Sequence, residues 1–474
     1  MTREIESFIT HFVTELEENN AAIFAGAGLS TSAGYVNWKE LLKPFAVELN
    51  IDIEKENDLI GIAQYFLNDN GRHRISQHLL DNIATCREPT ENHNIMARLP
   101  ILIYWTTNYD KLLEQALESA RKTPDVKYTI NHLSLTKSKR DAIIYKMHGD
   151  IDHPDSTVLT RDDYEKYANE RAPYITALSG DLVSKTFLFL GFSFSDPNLD
   201  YIMSRVRGYF KEHQRQHYCI FRKCNRSDYD TEDEYTQATV KQDLMIKDLK
   251  RFQVKALLVE EYSDITQILN KIEKIYKSKS IFLSGSANEF GEWDQPEVEE
   301  FLYKLGELLV ERNYKISSGI GLGIGNAFIT GAIKAVYDKH NGRVVDYLNM
   351  KPFPQFIKDE ELRKRTWRKY RYEIVGSAGI AIFFMGNKII NGEVALAEGM
   401  KEEFDIAIEL GLIPIPIGCS GYMANELWQF VDRNIQDYFD STNKKLISAF
   451  KKLNDKVDKP EQIISNILDI LELV

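Results

Sequence analysis

The stretch AAIFAGAGLS, Ala21–Ser30, decides the architecture. Ala21–Ala25 is an unbroken apolar run, the pattern of a strand covered on both faces of a parallel sheet. It leads straight into Gly26-Ala27-Gly28-Leu29-Ser30. Glycines let a backbone take positive φ and approach a pyrophosphate closely. Amides at a following helix start add donors and partial positive charge, and Ser30 adds a hydroxyl. A tight strand-to-helix turn that holds no ligand reads the same way, so the stretch alone leaves both open.

Three further segments repeat the arrangement. TTNYD, Thr106–Asp110, follows the β-rich run Ile101–Trp105; MHGD, Met147–Asp150, closes the run Ala142–Met147; and GFSFSDPNLD, Gly191–Asp200, follows Phe187–Leu190. Each stands at a strand's C-terminal end, where open α/β sheets bind their ligands. Asn108 has a carboxamide suited to a ribose hydroxyl and a water, or to capping the next helix, the role that best suits Asp110. His148, with an unperturbed pKa of about 6.5, suits general-base work at neutral pH; a structural histidine bonded to a carbonyl is the alternative. Ser193 and the turn Asp196-Pro197-Asn198 are placed to touch the adenosine half of a nucleotide, or to cap the helix from Leu199.

Working outward, helical patterns at Trp38–Leu49, Asn57–Asn70, Arg72–Ala84 and Asp110–Arg121 alternate with strands, which continue at Tyr218–Phe221 and Val254–Val259. Alternating β and α units predict an α/β fold with a doubly wound, Rossmann-type parallel sheet. After a helix at Tyr262–Lys277 the pattern restarts, predicting domains at residues 1–278 and 279–474. The second has a strand Ile281–Leu283, helices Gln295–Arg312 and Ala327–His340, strands Val344–Met350, Ala378–Met385 and Ile413–Ile417, and a C-terminal stretch helical from Met423 onward. Its glycine-rich turns, Ser284-Gly285-Ser286 and Gly319–Gly325 with Gly323, form another phosphate-cradle layout, or serve only as tight turns. Arg371, in a basic helical stretch, and Lys388 are its candidate cations. Glu403, read as starting a helix, is a candidate acceptor of ribose hydroxyls or a charge favourable at a helix N-terminus.

The chain has 474 residues, 43% hydrophobic and 27% charged, with formal net charge -12. That balance fits a globular protein of two or three domains and argues against a nucleic-acid partner, which needs a basic surface. The four cysteines, Cys86, Cys219, Cys224 and Cys419, contain no C-x-x-C pair, which argues against a structural zinc or a disulfide framework. No metal is expected. The N-terminus lacks the apolar region of a signal peptide and no apolar run is long enough to cross a bilayer, so the expected location is cytoplasmic.

Taken in order, GAGLS, TNYD, the His-Gly pair and GFS resemble the sirtuin NAD-binding pattern over roughly residues 10–275. The resemblance implies that Asn108 and His148 act on the NAD ribose as the catalytic pair. It implies a cofactor-binding set of Ala25, Gly26, Ala27, Gly28, Ser30, Asp110, Gly191 and Ser193. Two departures matter. The four-cysteine zinc module of protein-deacylating sirtuins is absent, and their GIPDFR-like segment is replaced by Gly34-Tyr35-Val36-Asn37-Trp38-Lys39, leaving Tyr35 or Trp38 to cover the nicotinamide. Hydrolysis of NAD+ to nicotinamide and ADP-ribose is therefore expected, and deacylation is not. A pure nucleotide sensor that binds NAD+ without cleaving it is the rival from another class.

The second half resembles the SLOG nucleotide-sensing domain, and the pair resembles the NAD-cleaving effector of the Thoeris antiphage system. The resemblance implies activation by a cyclic ADP-ribose isomer, the diffusible product of a partner TIR-domain protein, and assembly into homotetramers or filaments. The implied activator-binding residues are Ser284, Gly285, Ser286, Gly323, Arg371, Lys388 and Glu403.

Overall fold

The computed structural model describes all residues except Cys86, His340, Asn341, Gln355 and 457–459, and the side chain of Pro460. Cys86 and the end of the expected helix Ala327–His340 thus lie outside the described residues. The chain forms two compact units, Met1–Glu273 and Lys274–Val474. The division falls within the helix Ser263–Ser278 rather than after it.

In the first unit seven strands form one parallel sheet. They are β1 (Ala21–Ala25), β2 (Ile103–Thr106), β3 (Pro124–Lys127), β4 (Ala142–Lys146), β5 (Thr186–Leu190), β6 (His217–Arg222) and β7 (Val254–Val259), in the order β3-β4-β2-β1-β5-β6-β7. Every residue of β1 and β5 is buried, which explains their continuous apolar sequences. The chain leaves β1 toward β2 and later returns to its other side with β5, so a topological switch point lies between β1 and β5.

The second unit has a parallel sheet of β8 (Ser280–Ser286), β9 (Lys315–Ser318), β10 (Leu348–Met350), β11 (Ile380–Met385) and β14 (Ile413–Pro416), in the order β10-β9-β8-β11-β14. A two-stranded hairpin, β12 (Asn387–Ile390) with β13 (Glu393–Leu396), projects after β11. The switch point here lies between β8 and β11. The fold class read from the sequence, two Rossmann-like α/β units, is the one found.

Several elements differ from expectation. The helices Asn57–Asn70 and Arg72–Ala84 are halves of one element, Leu59–Ile83, broken at Gly71 (φ 75°, ψ 168°). Val344–Met350 is a short helix, Val344–Tyr347, before the brief strand β10. Ser284-Gly285-Ser286 is not a turn but the end of β8, paired with Phe383–Met385 of β11. The C-terminal stretch is broken into Tyr422–Arg433, Ile435–Tyr438, Lys444–Lys451 and Pro460–Leu473. Strand β3 escaped notice because it is short, begins with proline and lies at the sheet edge, where a missing N–H is tolerated. The hairpin had a readable signal, Asn391-Gly392, whose residues take φ 54° and 85° as a two-residue turn with both centres positive requires. Among the described residues no helix is long and apolar enough to cross a membrane.

Candidate active site

Strand register brings the four motifs together. Ala25 pairs with Thr106 and with Leu190, and Thr106 pairs with Lys146. Residues one or two steps beyond these partners therefore stand side by side on one sheet edge: Gly26, Asn108, His148 and Gly191. Four adjacent strands, β4-β2-β1-β5, contribute one motif each.

The Asn108 side chain is held from several directions. Its Nδ2 donates to Gly26 O at 3.1 Å and to Ser30 Oγ at 2.9 Å, and its backbone N–H donates to Thr106 Oγ1. Ser30 Oγ in turn donates to Asp110 Oδ2 at 2.8 Å, while Asp110 Oδ1 accepts from Leu112 N. Asp110 thus stands one residue before the N-cap Lys111, accepts from the first N–H of the helix Leu112–Ser119, and also orients Ser30. What the fold leaves over is Asn108 Oδ1, buried and without a hydrogen-bond partner.

His148 is 3% exposed, with Tyr164 and Tyr167 packed edge-on at ring distances of 5.6 and 6.1 Å. Its Nε2 lies 3.3 Å from Asp196 Oδ2 yet makes no hydrogen bond. Burial lowers the imidazole pKa, and the Asp196 carboxylate opposes that shift. His148 is accordingly a neutral base at physiological pH. Buried polar groups ordinarily find partners; two unpaired acceptors or donors at one strand edge are what a polar ligand would satisfy.

The glycines also pack two loops against each other. A Cβ on Gly26 would lie 2.4 Å from Gly191 O, and one on Gly191 (φ 63°) would lie 2.1 Å from Leu29 N. Gly26 N–H donates to Leu190 O and Gly28 N–H to Gly191 O. Their amides are thus already used in locking β1's loop to β5's loop. Gly191→Ala combines a left-handed backbone with a backbone clash and is expected to cost about 2–4 kcal/mol. Thermal unfolding measures it, and a parent-like midpoint would count against this packing. Ser193 is exposed, its Oγ 2.7 Å from Ser195 Oγ, and stands apart from the Asn108 network. Tyr35 and Trp38 are half-buried against the cluster that contains Tyr109 and Ile151, beside both motif loops.

One residue that sequence reasoning passed over holds the site together. Lys146, fully buried, donates to Tyr109 O (3.0 Å), Asp110 O (2.5 Å), Glu114 Oε1 (3.0 Å) and Asp150 Oδ2 (2.5 Å). It thereby ties the Asn108 loop to the His148 loop. Its position in the apolar run AIIYK was the signal, since a lysine inside a covered strand must be paired.

In the second unit Ser284 Oγ donates to Glu403 Oε2 at 2.5 Å, and Arg371 Nε lies 3.4 Å from Glu403 Oε1 while its Nη1 pairs with Glu402. The Arg371 guanidinium stacks over Phe353 and Trp367, at 5.0 and 5.9 Å. Ser284, Arg371 and Glu403 are therefore one buried cluster. Glu403 lies in the middle of the helix Glu398–Glu409, not at its start, so the helix-terminus reading of its charge fails. Burial raises its carboxyl pKa against the pull of Ser284 and Arg371. Gly285 and Gly323 are close-approach positions: Gly285 O is faced by Gly321, and a Cβ on Gly323 (φ 75°) would lie 2.2 Å from Ala287 O. Ser286 Oγ donates to Asn387 O. Lys388 sits on the hairpin strand β12 and, among the described residues, pairs with none of the cluster. No group of three or more His, Cys, Asp or Glu side chains among the described residues could hold a metal ion.

Comparison with known proteins gives the family. Residues 264–474 match the Sir2- and TIR-associating SLOG family, and residues 102–243 match the SIR2-like domain. The NAD(+) hydrolase ThsA of Acinetobacter baumannii (strain 532279) is 54% identical over 478 residues, covering 99% of each chain. The proteins of that name from Bacillus cereus (strain MSX-D12) and Cytobacillus dafuensis are 46% and 43% identical, covering 99% of this chain and 98% and 97% of theirs.

Proposed function

This chain belongs to the ThsA family of NAD(+) hydrolases, and on that premise we propose that it cleaves NAD+ to nicotinamide and ADP-ribose with Asn108 and His148. The observation that carries the assignment of residues is the pair of buried, unpartnered polar atoms, Asn108 Oδ1 and His148 Nε2, on adjacent strand ends. The bond from the ribose C1′ to the pyridinium nitrogen breaks, and its electron pair leaves with neutral nicotinamide, so no strong general acid is needed. Asn108 Oδ1 accepts from a ribose hydroxyl or the attacking water and fixes its position. Water adds to the oxocarbenium-like C1′, and its proton passes to the unprotonated ring nitrogen of neutral His148. With no zinc cysteines to build an acyl-lysine cleft, water is the acceptor.

The second unit senses a cyclic ADP-ribose isomer. Ser284, Arg371 and Glu403 supply a hydroxyl, a cation stacked on aromatic rings, and a carboxylate, the groups that bind pyrophosphate, base and ribose. Gly285, Ser286 and Gly323 line the adjoining strand end, and Lys388 is a cation on the neighbouring hairpin. Such a signal would come from a TIR-domain partner through solution, in a cytoplasmic antiphage role, with the active state a homotetramer or filament. Control follows from differential affinity of the activator for the active arrangement.

The test is NAD+ consumption by the full chain with and without a panel of cyclic ADP-ribose isomers, alongside an acyl-lysine peptide. One isomer is expected to raise nicotinamide release, and the peptide is expected to leave the rate unchanged. Retention of intact NAD+ under every isomer would favour a sensor. Arg371→Glu, and the milder Arg371→Gln, should abolish the response to the isomer while NAD+ binding persists. An unchanged activator response in both variants refutes this pocket.

A further inference from the structure

The carboxylate nearest His148 belongs to Asp196, which lies five residues past Gly191 on the loop after β5. That loop crosses from one side of β1 to reach a histidine on the other, beyond β2. The two oxygens of Asp196 do different things. Oδ1 accepts from Leu199 N at 3.0 Å and caps the helix Pro197–Phe210. Oδ2 accepts from Tyr164 OH at 3.2 Å and stands 3.3 Å from His148 Nε2. The cap needs only the first oxygen, so the second is available to the imidazole.

The other charged groups around His148 are committed elsewhere. Asp163 accepts from Arg72, Leu159 N and Thr160 N. Arg171 donates to the carbonyls of Tyr128, Met147 and Ser156. Tyr164 and Tyr167 meet the imidazole with ring edges or faces, and Tyr167 OH donates to Met147 O. Among the described residues Asp196 is therefore the one carboxylate within ion-pair distance of the imidazole.

Resting on the hydrolase reading above, we propose that Asp196 is the positioning residue of His148: its carboxylate, 3.3 Å from Nε2 and not hydrogen-bonded to it, acts through its charge and stabilises the imidazolium formed when the ring takes the water's proton. A buried imidazole with no adjacent anion is a poor proton acceptor, because its charged form is desolvated. A carboxylate at this distance stabilises the charged ring and so restores basicity. The same residue also couples the site to the loop of β5, since any shift of the helix start at Pro197 moves the anion relative to the ring.

Asp196→Asn tests this without disturbing the cap, because asparagine caps helices as well as aspartate does. In the full chain, with NAD+ and whichever cyclic ADP-ribose isomer activates the parent, kcat should fall by about 10²–10⁴-fold. KM should change little. The acid limb of the kcat/KM profile should move to lower pH, because loss of the carboxylate removes the interaction that raises the imidazole pKa. Asp196→Glu should recover part of kcat. A purely capping role predicts the opposite pattern: parent-like kinetics in Asp196→Asn and a lowered melting temperature only in Asp196→Ala. His148→Ala separates the two claims. If it is inactive while Asp196→Asn keeps the parent's kcat and acid limb, the role of Asp196 falls alone; if His148→Ala still releases nicotinamide at the parent rate, the hydrolase site itself is wrong.

Discussion

His148→Ala and Asn108→Ala should each lower nicotinamide release from NAD+ by about 10²–10⁴-fold, the range for loss of a positioned proton acceptor or orienting group. The two losses should be non-additive, because both residues act on one water and one ribose. The fold should survive. His148 Nε2 makes no hydrogen bond that the fold would miss. Asn108 gives up its bonds to Gly26 O and Ser30 Oγ, but Ser30 keeps Asp110 as partner. Circular dichroism and melting temperature should therefore stay near the parent values while a nicotinamide assay goes flat. NAD+ turnover at the parent rate in both variants would mean that the reaction occurs elsewhere.

Lys146→Met should be the most destabilising single change. Methionine fills the volume but leaves Glu114 and Asp150 buried without their shared cation, and removes donors from Tyr109 O and Asp110 O. Breaking a buried pair by removing one partner costs about 3–5 kcal/mol. The direction of compensation is fixed by burial: the Glu114 carboxyl pKa is already raised by desolvation, and without Lys146 it rises further. Glu114 would then keep its proton to higher pH than in the parent, so the loss of stability should grow as pH rises. Urea unfolding followed at several pH values measures both effects. Activity should also fall, since the loops bearing Asn108 and His148 lose their common anchor. A midpoint equal to the parent's would show that Lys146 does not join the loops.

The legible part of this protein was whatever short-range pattern encodes. Apolar runs such as Ala21–Ala25 announced covered strands, and four motifs each placed after such a run announced a ligand edge. Asp110 read as a helix cap, and it does accept from the helix's first N–H at Leu112, though the cap position itself is Lys111, one residue on. The hairpin at Asn391-Gly392 was equally local and simply went unread. Other features were invisible for a physical reason. Gly26 and Gly28 read as phosphate-binding glycines, and nothing in the chain's local pattern signalled that the backbone at Gly191, more than 160 residues away, also requires glycine there. Glu403 read as a helix-terminal charge because the start of its helix, at Glu398, has no side-chain cap to mark it.

Sequence by itself determined two α/β units, the strand ends that hold the chemistry, and the residue types available there, because periodicity and turn chemistry act over a few neighbours. Only the tertiary structure decided which side chains spend their hydrogen bonds on the fold and which keep one back. Ser30 and Asp110 are consumed by each other, whereas Asn108 Oδ1 and His148 Nε2 remain unpaired. That distinction depends on strand order and register, which bring together groups 80 or more residues apart and leave a few polar atoms that no group among the described residues satisfies.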